Sequence, residues 1–62
     1  MISTYWNGEL LQIMQHGREI GYLDENILYM IDKDGYADRF CELSDRSQIP
    51  DAVKRYRELS QR

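Results

Sequence analysis

Apolar side chains occupy both alternating registers of the chain between residues 18 and 43. Successive side chains of a β-strand point to opposite faces of its sheet. One face of these segments would carry Ile20, Tyr22, Ile27, Tyr29, Ile31, Tyr36 and Phe40. The other face would carry Leu23, Leu28, Met30, Ala37, Cys41 and Leu43. Neither face resembles the solvated side of an ordinary antiparallel sheet, so the pattern predicts strands with two apolar faces.

Turn-forming residues divide this region into three predicted strands, Arg18 to Leu23, Ile27 to Lys33 and Tyr36 to Leu43. Asp34-Gly35 is the strongest hairpin signal, because both residues tolerate the positive φ that a type I′ turn requires. Gly21 interrupts the first strand and predicts a bulge or a close backbone approach. The region is predicted to form a three-stranded antiparallel meander.

Residues 9–16 separate into an apolar and a polar side at the helical period and not at the strand period. Asn7 suits the N-cap of a helix and Gly17 suits the residue after its last turn. We therefore predict a short N-terminal helix over residues 9–16. The alternative is a hairpin strand that turns at Asn7-Gly8. With residues 2–6 as an edge strand, that alternative gives five short strands plus a C-terminal helix.

The C-terminal segment has the clearest helical pattern. Pro50 suits the first turn of a helix, and Asp51 complements the positive end of the helix dipole. A single helical stripe holds Ile49, Ala52, Val53, Tyr56 and Leu59. The predicted fold class is α+β, with a short N-terminal helix, a three-stranded antiparallel meander and a C-terminal amphipathic helix.

The chain of 62 residues is predicted to form one small domain. A domain of this size hides only about 60% of the surface of its unfolded chain, so its stability is marginal. Cys41 is the only cysteine, which excludes an internal disulfide, and His16 is the only histidine. A metal site therefore has little support, and association with a second subunit is the remaining means of stabilisation.

The charge distribution is uneven along the chain, whose net charge is −3. Residues 1–43 contain three basic and eight acidic side chains, whereas residues 44–62 contain five basic and three acidic ones. An acidic body argues against a general phosphate-backbone binder. The chain shows no charged leader and no apolar run of about 18 residues, so we expect a soluble cytoplasmic protein with no membrane partner.

Candidate catalytic and metal-binding patterns fail on chemical grounds. A calcium loop with Gly35 at its invariant glycine would begin at Met30 and end at Cys41, neither of which supplies the required oxygen ligand. Nothing in the sequence brings Cys41 and His16 together as nucleophile and base. We therefore expect no enzymatic activity, no cofactor, no metal and no small-molecule substrate.

The surplus of apolar sheet surface favours a binding protein. If both helices cover the aliphatic face, the aromatic face stays open and needs a partner. The predicted contact residues are Tyr22, Ile27, Tyr29, Ile31, Tyr36 and Phe40. Lys54, Arg55 and Arg57 would add a secondary electrostatic contact, worth less than about 1 kcal/mol per exposed pair.

The predicted function is that of a small regulatory or accessory protein that binds another protein or itself, with a homodimer through the aromatic face as the favoured assembly. The alternative is single-stranded nucleic-acid binding, in which the aromatic face stacks on bases and the basic C-terminal helix contacts the backbone. The acidic body makes nucleic acid the less favoured partner.

Overall fold

The structure is a computed structural model that describes residues 1–61; Arg62, one of the basic residues of the tail, lies outside the described residues. The chain forms one antiparallel sheet of five strands, which lie side by side in sequence order. The strands are β1 (Ile2–Trp6), β2 (Leu11–Gln15), β3 (Arg18–Asp24), β4 (Ile27–Ile31) and β5 (Ala37–Glu42). A 3-10 turn, Arg46–Gln48, leads into the helix α1 (Ile49–Ser60).

The predicted N-terminal helix and three-stranded meander are wrong, and the five-strand alternative fits. Most of residues 9–16 belong to β2, which pairs with β1 and β3. The Asn7 side chain still acts as a cap would, since its Oδ1 accepts the backbone N–H groups of Glu9 and Leu10, each at 2.9 Å. Here those bonds hold a turn that returns the chain along β1.

The prediction of a type I′ turn at Asp34-Gly35 is wrong, and the turn with the angles of that type joins β2 to β3. His16 and Gly17 have φ values of 55° and 76°, which is the pair of positive angles that a type I′ turn requires. In the β4–β5 connection Gly35 has a positive φ and Asp34 does not. There the Asp32 carboxylate accepts the backbone N–H groups of Asp34 and Tyr36, both at 2.9 Å. The β4–β5 turn is therefore wider than predicted.

Two strands contain an irregularity that changes which side chains share a face. Ile13 pairs with Gly21 while Met14 pairs with Glu19, so Ile20 is an extra residue in β3. Leu28 pairs with Cys41 while Tyr29 pairs with Arg39, so Phe40 is an extra residue in β5. Each extra residue resets the alternation of side chains along its strand.

The hydrophobic core lies between α1 and one face of the sheet. Its buried side chains are Leu11, Ile13, Leu23, Leu28, Met30, Leu43, Ile49, Ala52 and Val53. Around its margin pack Ile2, Ile20, Phe40, Cys41 and Tyr56. Of the predicted helical stripe, Leu59 alone is exposed, at 52%. The single described α-helix therefore covers one face of the sheet.

A polar network fixes the start of α1. The Gln48 side chain accepts the backbone N–H groups of Ser44 and Asp45, and the Ser47 hydroxyl donates to the Asp45 carboxylate. This hydroxyl, with the backbone amides of Ser47 and Arg46, lowers the pKa of Asp45.

Among the residues described, no helix has the length and apolar character needed to cross a membrane.

Candidate functional site

The face of the sheet opposite α1, called the open face here, is the candidate site. Its centre is a row of side chains that are neighbours across all five strands. The pairing register gives the row as Tyr5, Gln12, Tyr22, Tyr29 and Arg39. Successive side chains of a strand point to opposite faces. Leu23 and Leu28, which are next to Tyr22 and Tyr29 in the sequence, are buried in the core under α1. The row is therefore on the side that α1 leaves uncovered.

Tyr22 and Tyr29 form the centre of the open face. They are directly opposite each other in the β3–β4 register, and their rings stack with centroids 5.0 Å apart and planes inclined by 21°. Aromatic pairs across strands stabilise a sheet by up to about 1 kcal/mol. Both side chains remain half-buried although no helix packs over them. Each ring shields one side of the other and leaves its own outer edge to solvent.

Apolar side chains surround the tyrosine pair. Ile27 and Ile31 flank Tyr29 at alternate positions of β4, and Met14 lies on β2 beyond Gln12. All three are half-buried. At the β1 edge Tyr5 is 62% exposed. The open face is therefore an apolar surface whose rings and alkyl chains are partly exposed to solvent.

Charged and amide groups lie on either side of the tyrosine pair. On β5, Arg39 is exposed beside Tyr29. On the other side of Tyr22, the Gln12 side-chain amide donates to the Glu19 carboxylate at 3.4 Å. The open face thus carries a cation on the β5 side of the tyrosine pair and a carboxylate beside Gln12.

The structure brings together four of the six predicted contact residues. Tyr22, Ile27, Tyr29 and Ile31 share the open face. Tyr36 lies in the turn before β5 and is 73% exposed. Phe40 lies on the helix side, where its ring packs edge-on against Tyr56 at 5.3 Å with planes at 78°. The bulge in β5 explains this correction, because it moves Phe40 onto the face of Cys41. Ile20, assigned by sequence to the aromatic face, moves in the same way.

The predicted basic contact residues lie on α1, across the sheet from the open face. Arg55 stands over the Phe40 ring, 5.8 Å from its centroid, and Arg57 donates to the side-chain oxygen of Gln15. Lys54 is exposed to solvent. A base stacked on the open face would therefore be separated from these cations by the thickness of the sheet. This geometry favours neither the nucleic-acid alternative nor a single contact that uses both groups.

Sequence reasoning missed several residues of the open face. Gln12 and Met14 were assigned to a helix, and Tyr5 was given only as part of an alternative edge strand. Arg39 was not considered, since the face assignment counted apolar residues alone. The available signal was the alternative itself, because a strand over residues 11–15 places Gln12 and Met14 on one face and Leu11 and Ile13 on the other.

A second concave region lies between the end of α1 and the β2–β3 and β4–β5 turns. This groove has a volume of about 550 Å³. Its apolar floor includes Ile20 and Met30, and its rim includes Arg18, Lys33 and Arg57. Within residues 1–61 no cluster of three or more His, Cys, Asp or Glu side chains is placed to hold a metal ion.

Comparison with known proteins finds no matching family model, no matching curated protein and no matching solved structure.

Proposed function

We propose that this chain is a small non-enzymatic binding module whose open face packs against the open face of a second copy, and that it acts as a regulatory or accessory homodimer. The observation that carries the proposal is the stacked Tyr22–Tyr29 pair on a sheet face to which α1 supplies no cover. Tyrosine suits such a contact, because its ring provides area and its hydroxyl tolerates both water and a partner.

The total exposed surface supports association. The chain exposes 4749 Å², whereas a compact monomer of its mass, 7.4 kDa, exposes about 4,200 Å². The excess is on the order of 500 Å² by the same scaling. A sheet with one covered face accounts for such an excess, since its second face contributes surface that a further covering layer would bury.

The charge pattern of the open face is self-complementary. In a face-to-face dimer whose two-fold axis runs along the strands between Tyr22 and Tyr29, β5 of one copy lies over β2 of the other. Arg39 then faces Gln12 and its acceptor Glu19 of the second copy, at both ends of the interface. The tyrosine pair packs on its own symmetry mate, as an isologous interface requires.

The size of the open face sets the expected strength. In this arrangement β2 to β5 of the two copies overlap, and at ordinary sheet spacings these four strands cover roughly 19 by 17 Å, on the order of 300 Å² per copy. A standard stable interface buries about 800 Å² per partner. We therefore expect a reversible dimer, whose population depends on protein concentration.

Sedimentation equilibrium over a series of protein concentrations tests the proposal. We expect a monomer–dimer equilibrium for the wild-type chain and a large shift towards monomer for Tyr29→Asp, because the substitution removes the ring stack and places a charge at the centre of the apolar contact. Tyr36→Asp is the matched control, since Tyr36 is exposed and lies off the open face. Circular dichroism of both variants checks that each one folds. A wild-type chain that is monomeric at every concentration would contradict the proposal.

An independent variant avoids dependence on Tyr29, whose loss also removes the ring stack. Arg39→Glu places two carboxylates near each other across the proposed interface and leaves the core untouched, because Arg39 is exposed. We expect it to weaken the dimer, and we expect the added exchange Glu19→Arg to restore it. Restoration by the second exchange would identify Arg39 and Glu19 as neighbours in the dimer.

A further inference from the structure

The outer edge of β1 has backbone groups without strand partners. The N–H of Asn7 donates to the carbonyl of Leu10 at 3.1 Å in the turn that joins β1 to β2. In an antiparallel pair only alternate residues direct their N–H and C=O groups to the same neighbour. Ser3 and Tyr5 therefore bond to β2, while Ile2, Thr4 and Trp6 direct theirs away from the sheet. That outward row is a template for a further strand.

The β1 sequence does nothing to block such pairing. Ile2–Trp6 contains no charged residue, no proline and no glycine. Proteins normally protect an edge strand with charges, proline or a bulge. Two aromatic side chains are also exposed there, Tyr5 at 62% and Trp6 at 57%. The edge thus combines free hydrogen-bonding groups with uncovered apolar area.

The opposite edge of the sheet is protected. The strand β5 carries Asp38, Arg39 and Glu42, and the bulge at Phe40 breaks its regular spacing. Charged side chains and bulges are the usual means of preventing edge pairing. The contrast between β5 and β1 shows that this sheet has one edge suited to docking.

We propose that β1 pairs antiparallel with β1 of a second copy, with Thr4 opposite Thr4 at the two-fold axis. In this register Ile2 lies opposite Trp6, and Ser3 lies opposite Tyr5. Ile2, Thr4 and Trp6 then form hydrogen-bonded pairs, which is the role that their outward groups require. The pairing joins each exposed aromatic ring to a β-branched or small residue across the strands, a favourable combination.

The self-complementary register of β1 favours a second copy as the occupant, and charge does not oppose this pairing. The chain has a net charge of −3, so contact between its acidic regions would be repulsive. An antiparallel β1 pair brings together ten uncharged residues and no carboxylate. The two sheets become one continuous sheet with both open faces on the same side. The pairing uses residues other than the tyrosine pair, so it does not depend on the face-to-face contact.

Amide hydrogen exchange measured residue by residue tests the pairing in the wild-type chain. We expect the amides of Thr4 and Trp6 to be protected at high protein concentration and to exchange rapidly on dilution. The amide of Tyr5, which bonds to β2, serves as the internal control and stays protected throughout. Rapid exchange of Thr4 and Trp6 at every concentration would overturn the proposal. So would protection that appears only with an added peptide of unrelated sequence.

Two substitutions at Thr4 test the same contact by sedimentation. Thr4→Pro removes an outward N–H without removing a bond to β2, and Thr4→Lys places a charge at the two-fold axis. Both are expected to abolish the edge contact. Tyr36→Lys, in the turn before β5 and off the open face, is the matched control for the added charge and is expected to have no effect.

Combination with Tyr29→Asp separates the two contacts. If Thr4→Pro alone abolishes association and Tyr29→Asp has no effect, the edge pairing stands and the open-face dimer fails. If Tyr29→Asp alone abolishes it and Thr4→Pro has no effect, the edge pairing is overturned. If the wild-type chain assembles beyond a dimer and each variant reduces it to a dimer, both contacts stand, because their two-fold axes do not intersect and together do not close on a dimer.

Discussion

A Cβ atom on Gly21 would lie 2.5 Å from the carbonyl oxygen of Tyr29. The same atom would lie 3.2 Å from the sulfur of Met30. The prediction of a bulge or a close backbone approach at Gly21 is confirmed on both counts, because the extra residue of β3 immediately precedes it. Glycine therefore lets β3 and β4 remain at pairing distance at this position.

Gly21→Ala is therefore expected to destabilise the protein by about 1–3 kcal/mol, the usual cost of overpacking a filled interior site. Urea unfolding followed by circular dichroism gives the change in the free energy of unfolding. Ser3→Ala, at an exposed strand position, is the control and should change stability by less than about 0.5 kcal/mol. Equal stability of the Gly21→Ala variant and the wild type would show that β3 and β4 separate without cost.

His16→Asn is expected to stabilise the β2–β3 hairpin by up to about 1 kcal/mol, because asparagine adopts the left-handed conformation more readily than histidine does. The φ of His16 is 55° and Gly17 follows it, so the substitution creates the preferred type I′ pair. The thermal unfolding midpoint measures the effect. His16→Val should lower that midpoint, since a β-branched residue is strained at positive φ.

Asn7→Ala is expected to cost about 1 kcal/mol, the typical loss when a capping side chain is removed. The Asn7 oxygen accepts two backbone N–H groups at 2.9 Å in the β1–β2 turn. Asn7→Asp preserves an acceptor in the same place and should retain most of the stability. A chemical denaturation series on the three proteins measures both values. Equal losses for alanine and aspartate would contradict a role for this acceptor.

Ionisation of the Tyr56 hydroxyl is expected to lower the stability of the protein in alkaline solution. Burial raises the pKa of Tyr56, and the negative charges of Asp38 and Asp32 raise it further. The Tyr56 hydroxyl therefore loses its proton at a lower pH in the unfolded chain than in the folded chain. Its contribution to the free energy of unfolding is fully present below pH 10.0 and is lost as the pH rises through the folded-state pKa. Tyr56→Phe should reduce that fall. Tyr36→Phe, at an exposed position, is the control for the loss of one phenol elsewhere.

The sequence predicted the turn chemistry of the N-terminal half better than its secondary structure. Asn7 does accept backbone N–H groups and Gly17 does have a positive φ, as the helix prediction required. Helix caps and hairpin turns use the same residues, because both need a local acceptor and a left-handed conformation. The four apolar residues between them fit either element, and pairing with β1 and β3 decided for a strand.

Face assignments from strict alternation were right where the strands are regular and wrong beyond each bulge. Tyr22 and Tyr29 lie on the open face as alternation predicts, and their partners Leu23 and Leu28 lie in the core. Ile20, Phe40 and Ala37 lie on the face opposite to the predicted one, because one extra residue reverses the parity of a strand. Nothing in the local sequence marks Phe40 as the inserted residue, since the bulge is stabilised by its packing against Tyr56.

Strand order that follows chain order has a consequence for biosynthesis. Each strand can pair with its predecessor as soon as it leaves the ribosome, so the sheet assembles through short loop closures, which favour rapid folding. The segment that forms α1 emerges after all five strands. Until it docks, the nascent sheet is bare on both sides, and the interval between the synthesis of β5 and the docking of α1 is the one in which chaperones would have the most to protect.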